Sequence, residues 1–166
     1  MKLKPTKLTP VRRVVTGHDL AGKALIHSDD RVETALIPSG DAAFSLLWTT
    51  ASVPADNNDP VDGRERDAGL TIHKGSVIRV VDLLPGGESP MHRTNSIDYG
   101  IVLWGSVELE LDEGCKTVLQ AGDVCIQRGT IHRWRALGDS PCRMIFILTE
   151  ASPYVHDGKP LPQVGI

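Results

Sequence analysis

The second half of this chain alternates apolar and polar residues with a period of two, and few folds accept that pattern. Val107, Leu109 and Leu111 alternate with Glu108, Glu110 and Asp112. Successive side chains of a strand point to opposite faces, so such a segment buries one face and wets the other. Strand candidates run over 77–84, 97–111, 117–119, 124–127, 132–135 and 143–149. Between them stand turn residues. Pro85-Gly86-Gly87 stops any helix, Asp112-Glu113-Gly114 closes a hairpin onto 117–119, and Gly122 and Gly129 turn the chain again. Short strands with glycine turns at this spacing predict an all-β sandwich or barrel.

Upstream the pattern loosens. Short β-like runs cover 11–15, 34–37 and 44–50, helix is limited to a turn or two near 17–24, and 53–67 (VPADNNDPVDGRERD) has loop chemistry. Asp56 and Asp59 in that loop do not match a calcium-loop spacing and read as turn residues. The 166 residues suit one domain. Within it we expect an N-terminal extension over 1–70, a barrel core over 71–150 and a C-terminal tail over 151–166. The extension's strands would pack on the barrel or exchange between two barrels.

Charge and composition narrow the partners. A net charge of -3 and scattered arginines (Arg128, Arg133 and Arg135 are interrupted by other types) argue against nucleic acid. No apolar run approaches the ~20 residues that span a bilayer, and the start MKLKPTKLTPVRR lacks the apolar centre of a secretion signal. The expectation is a cytoplasmic protein with a small-molecule substrate and no membrane partner. Cys115, Cys125 and Cys142 form no C-x-x-C pair, so they indicate neither a disulfide framework nor a thiolate metal site.

Residues 86–105 read GGESPMHRTNSIDYGIVLWG, placing Gly86, His92, Thr94, Asp98 and Gly105 at fixed intervals. Further on, Gly122-Asp123, Gln127-Arg128-Gly129, His132 and Ala136 form a second spaced set. The two sets resemble the two motifs of the cupin family, in order, over about 75–150. That resemblance implies a double-stranded β-helix, or jelly-roll barrel, whose motif residues project inward to one metal. Here Thr94 stands where the family has a second His, and Asp98 where it has Glu.

Parity offers a check independent of the family. His92, Thr94, Ser96, Asp98, Gly100 and Val102 are separated by even numbers, so an uninterrupted strand points them to one face; His132 and Trp134 share another. Two imidazoles and a carboxylate, His92, Asp98 and His132, match a two-His, one-carboxylate site for a divalent Fe, Zn, Mn or Ni ion. The shorter Asp98 could instead orient an imidazole. Without metal, the histidines would be hydrogen-bonded core residues or direct substrate contacts, and His132 or Asp98 a general base. Arg79 could pair with a substrate carboxylate or lie on the surface, and Thr94, Trp134 and Trp48 complete the candidate binding residues. Tyr99 and Arg93 have outward parity, and His18, His27, His73 and His156 read as surface residues.

The resemblance implies a metal-dependent enzyme acting on an oxygenated organic acid or carbonyl compound, of decarboxylase, dioxygenase, isomerase or dehydratase type. A metal-free barrel that binds or senses a small ligand is the alternative. Similar proteins often pair or exchange N-terminal strands, so a homodimer is expected.

Overall fold

The computed structural model describes residues 8–165. Strands β1 (Val11–His18) and β2 (Ala24–Val32) form an antiparallel ribbon of their own. After them come β3 (Ala35–Leu36), β4 (Ala42–Thr50), β5 (Ser76–Leu83), β6 (Ser96–Trp104) and β7 (Ser106–Glu110). The series continues with β8 (Lys116–Gln120), β9 (Val124–Arg128), β10 (Arg133–Leu137) and β11 (Cys142–Glu150). A last short hairpin joins β12 (Val155–His156) to β13 (Lys159–Pro160).

Two antiparallel sheets carry the fold: a six-stranded sheet in the order β3-β4-β5-β11-β6-β9 and a three-stranded sheet in the order β10-β7-β8. Their facing sides interleave in a core of Val81, Val102 and Met144 from the large sheet and Val107, Leu109 and Ala136 from the small one. The architecture is a jelly roll: all-β as the alternating pattern predicts, and of the kind the family resemblance implies. Truncating a side chain as enclosed as Met144 would cost about 2–5 kcal/mol, because the lost transfer energy is joined by the cavity left behind. No helix among the described residues is long and apolar enough to cross a membrane.

Three local expectations change. The run over 97–111 is two strands, because Gly105 turns the chain from the large sheet into the small one. Gly105 has φ +83°, and a Cβ there would lie 2.8 Å from the Cα of Cys142, so only glycine fits without displacing backbone. The stretch near 17–24 holds no helix. It is the tip of the β1–β2 ribbon, where the Asp19 carboxylate accepts hydrogen bonds from the N–H groups of Ala21 and Lys23. Finally, β4 is an integral strand of the large sheet, paired with β3 on one side and β5 on the other.

Candidate functional site

A cavity of about 360 Å³ opens between the two sheets, beyond the packed core. Its walls are mostly apolar in area, with Phe44, Trp134 and Phe146 among them, and the charged and imidazole side chains on it are Asp41, Arg79, Glu88, His92, Asp98 and His132, with Thr94 beside Asp98. Sites of this kind, concave and apolar with a few convergent polar groups, are where small molecules bind.

The two histidines owe their meeting to the backbone. His92 and His132 form an antiparallel bridge. The His92 N–H donates to the His132 carbonyl at 2.9 Å, and the His132 N–H donates back at 3.0 Å. Directly opposed residues project to the same side, and the ring centroids lie 4.2 Å apart. Each Nδ1 sits on a main-chain carbonyl two residues earlier, His92 on Pro90 at 2.9 Å and His132 on Thr130 at 3.0 Å. A carbonyl only accepts, so each Nδ1 carries a proton, and a ring protonated there alone keeps its Nε2 lone pair. Burial, reinforced by the neighbouring His92, lowers the pKa of His132 to about 4. It is therefore neutral at neutral pH.

Asp98 lies on the inner face of β6, almost fully buried. Ser96 Oγ donates to its Oδ1 at 2.5 Å, and Thr94 Oγ1 lies 2.7 Å from Ser96 Oγ. With the Ser96 proton committed to the carboxylate, Thr94 donates to Ser96, and a relay of three side chains runs from the segment before β6 onto its inner face. Thr94 thus supports the carboxylate. Burial nevertheless raises the Asp98 pKa to about 6, against the lowering effect of Ser96, Thr94 and the charge of Arg79.

Arg79 projects from β5 into the same cavity and is 7% exposed. Its Nη2 donates to the main-chain carbonyls of Gly69 and Leu70, and its guanidinium lies 5.6 Å from the Phe44 ring centroid. Burial lowers its pKa to about 10, partly offset by the charge of Asp98, so it stays protonated.

The structure therefore brings Arg79, His92, Thr94, Asp98, His132 and Trp134 to one cavity and leaves Trp48 outside it. Trp48 follows a bulge between Leu46 and Trp48 in β4. One extra residue inverts the facing of the strand beyond it, so Trp48 lies against Arg13, 5.9 Å from ring centroid to guanidinium carbon, beside the loop over 53–67. Sequence reasoning missed Phe44 and Phe146 as cavity walls. Phe146 was accessible by parity, since it alternates with Met144 and Leu148 in the buried series of β11. Tyr99 is exposed, and His18, His27, His73 and His156 are on the surface as expected.

As a metal site the donor set is incomplete. Among the described residues no three His, Cys, Asp or Glu side chains gather into a group that could hold an ion. The two imidazoles pair, while the Asp98 carboxylate is engaged by Ser96. The thiols add no ligand, Cys142 being pushed up to about 11 by burial.

Comparison with known proteins bears on the family and the fold. A family model described as the cupin domain matches residues 79–148. Phomopsin biosynthesis cluster protein C' of Diaporthe leptostromiformis is 40% identical over 95% of this chain and 87% of its own length. The cupin-domain-containing oxidoreductase virC of Hypocrea virens is 37% identical over 86% of this chain and 77% of its own. Among solved structures, the Cnp3 cupin domain of Schizosaccharomyces pombe superposes with a TM-score of 0.54 at 13% identity, over 84% of this chain and 87% of that one. The polyketide cyclase RemF of Streptomyces resistomycificus superposes with a TM-score of 0.52 at 18% identity, over 81% of each chain. These likenesses in structure carry the fold, and the relatives in sequence carry the family: the chain belongs to the cupin family.

Proposed function

We propose that this cupin is a small-molecule enzyme of acid–base type, which takes an oxygenated, largely apolar carbonyl compound into the cavity and isomerises or dehydrates it. The observation that carries the proposal is the His92–His132 pair, two imidazoles whose Nδ1 atoms are held by carbonyls and whose Nε2 atoms are left free in an apolar chamber. In this reading His132 Nε2 accepts a proton from the carbon next to the substrate carbonyl. The resulting enolate is reprotonated at another carbon by the imidazolium, or expels a β-hydroxyl group that leaves as water with the proton of the Asp98 carboxyl. A carboxyl with its pKa near 6 can hold that proton close to neutral pH. Relatives named as cupin-domain-containing oxidoreductases support a small-molecule substrate.

Proton exchange tests the proposal. With 2-tetralone in deuterated buffer, the wild type should exchange the α-protons at least ~100-fold faster than buffer, and His132→Gln should lose most of that gain. Binding of the ketone with exchange at the buffer rate would replace the enzyme with a ligand-binding module.

A divalent metal (Fe, Zn, Mn or Ni) is a second reading, favoured by the two free Nε2 atoms. His92 and His132 would supply two of its ligands, and the third expected ligand, Asp98, would have to leave Ser96 to join them. Elemental analysis of protein purified without added metal, beside a His92→Ala, His132→Ala double variant, checks it. The homodimer is likewise proposed, supported by the exposed Tyr99, Leu103, Val124 and Ile126 on neighbouring strands β6 and β9. Sedimentation as a monomer at micromolar concentration would refute it.

A further inference from the structure

The ligand-facing chemistry of the cavity is asymmetric, and Arg79 is the reason. Among the described residues, two buried side-chain nitrogens or oxygens lack a hydrogen-bond partner: Arg79 Nε and Arg93 Nε. Arg93 is only half-buried and its backbone pairs with Val164 near the C-terminal end, outside the cavity. Arg79 is in the cavity wall, and both of its hydrogen bonds within the chain leave from Nη2. Three carboxylates line the chamber, Asp41, Glu88 and Asp98, and among the described residues none makes an ion pair with Arg79: Glu88 is taken by Arg133 and Arg135, and Asp98 is held by Ser96. Nε itself is enclosed by the chain, and Nη1, which makes no hydrogen bond within it, is the nitrogen left to meet a ligand; a buried guanidinium without an anion costs stability unless something else supplies the acceptor. The Gly69 and Leu70 carbonyls fix the far nitrogen and so hold the planar group in place. Phe44 lies against it, and Trp134 and Phe146 line the same chamber.

We propose that Arg79 is the anion anchor of this site, and that the cavity takes ring-bearing, apolar acids whose carboxylate accepts from the guanidinium while the ring lies among Phe44, Trp134 and Phe146. The inference rests on the cavity being a small-molecule site and deepens that reading by naming the substrate class: a carbonyl compound that also carries a carboxylate. Arg79 binds and orients; the proton transfer belongs to His132 and Asp98.

Titration calorimetry with 2-naphthoate and its neutral counterpart 2-naphthamide tests the anchor. The wild type should bind the acid at least about tenfold more tightly than the amide, in keeping with a charge-assisted hydrogen bond in a buried site. Arg79→Gln should abolish that preference while leaving amide affinity within about twofold, and Arg79→Lys should restore part of it. Equal affinity of the wild type for both probes would overturn the anchor and leave the cavity as a small-molecule site. A preference for the acid that survives in Arg79→Gln would overturn it as well. Binding of neither probe would overturn the anchor together with the function proposed above. Should Arg79→Gln fail to fold, the acid-to-amide ratios of the wild type and Arg79→Lys still decide: a preference in both upholds the anchor, and none in the wild type removes it.

Discussion

Arg143 and Arg79 are buried to the same degree on neighbouring strands of one sheet, yet their surroundings have little in common. Arg143 on β11 donates from Nε and Nη2 to both oxygens of the fully buried Asp82, at 2.6 and 2.7 Å, and from Nη2 to the Thr9 carbonyl. Its guanidinium carbon stacks 4.4 Å from the Trp104 ring centroid. Arg13, under the β1–β2 ribbon, is closed in the same way by Asp30 and Asp62. Arg79 has two carbonyls on one nitrogen and an unpartnered Nε. The difference teaches that burial alone does not distinguish an arginine that holds the fold from one that waits for a ligand. Donor satisfaction does.

The harshest test of the contrast removes the partner of the closed arginine. Asp82→Ala strands the Arg143 charge and should destabilise the protein by about 3–5 kcal/mol in urea denaturation. The next effect lies in the cavity and concerns pH. Asp98 has a folded-state pKa raised to about 6 from 3.8, so the stability its protonated form retains is lost as pH rises from about 4 through about 6. His132 has a folded-state pKa lowered to about 4 from 6.5, so its contribution is present above about 6.5 and lost as pH falls through about 4. The two oppose each other across the same window. Asp98→Asn should therefore raise stability at pH 8 by about 2–3 kcal/mol and leave a curve that climbs with pH between about 4 and 6.5. Melting temperatures at pH 4.5, 6 and 8 check it, and an unchanged curve would show that the carboxylate is not desolvated.

Arg79→Gln should then change unliganded stability by less than about 1 kcal/mol, since the arginine it removes has an unmet donor. A loss as large as that of Asp82→Ala would erase the distinction between the two arginines. The smallest effect is expected at Arg12, whose pair with Asp29 is exposed: Arg12→Ala should leave the denaturation midpoint where it is.

How much of this was written in the sequence depends on how far each signal travels along the chain. Strands with an alternating face, such as 106–110, declare themselves locally; His92, Thr94 and Asp98 meet in the cavity although no single strand runs through them, since β6 begins at Ser96 and His92 is held by its bridge to His132. β2 was illegible, since Ser28, Asp29 and Asp30 belong to a ribbon whose arginine partners sit on another strand. Trp48 was misplaced by a bulge that no residue type announces. That Arg79 lacks a carboxylate while Arg143 has one was beyond reach, because Asp82 is 61 residues away from Arg143 and pairs with it only through the register of β5 and β11.

The reciprocal main-chain bonds between His92 and His132 bear on how such a site can change over time. The imidazoles are spaced by a backbone bridge, and their tautomers are set by two more carbonyls, of which Pro90 belongs to the chamber wall and Thr130 does not. Phe44 and Phe146 stand on the large sheet and can be exchanged for other apolar residues while the bridge stays, whereas Trp134 packs edge-on against His132, 5.8 Å between ring centroids, so its exchange disturbs the pair. Much of the container is therefore separable from the pair it surrounds: a lineage can keep the two imidazoles and alter what fits beside them by redecorating β4 and β11.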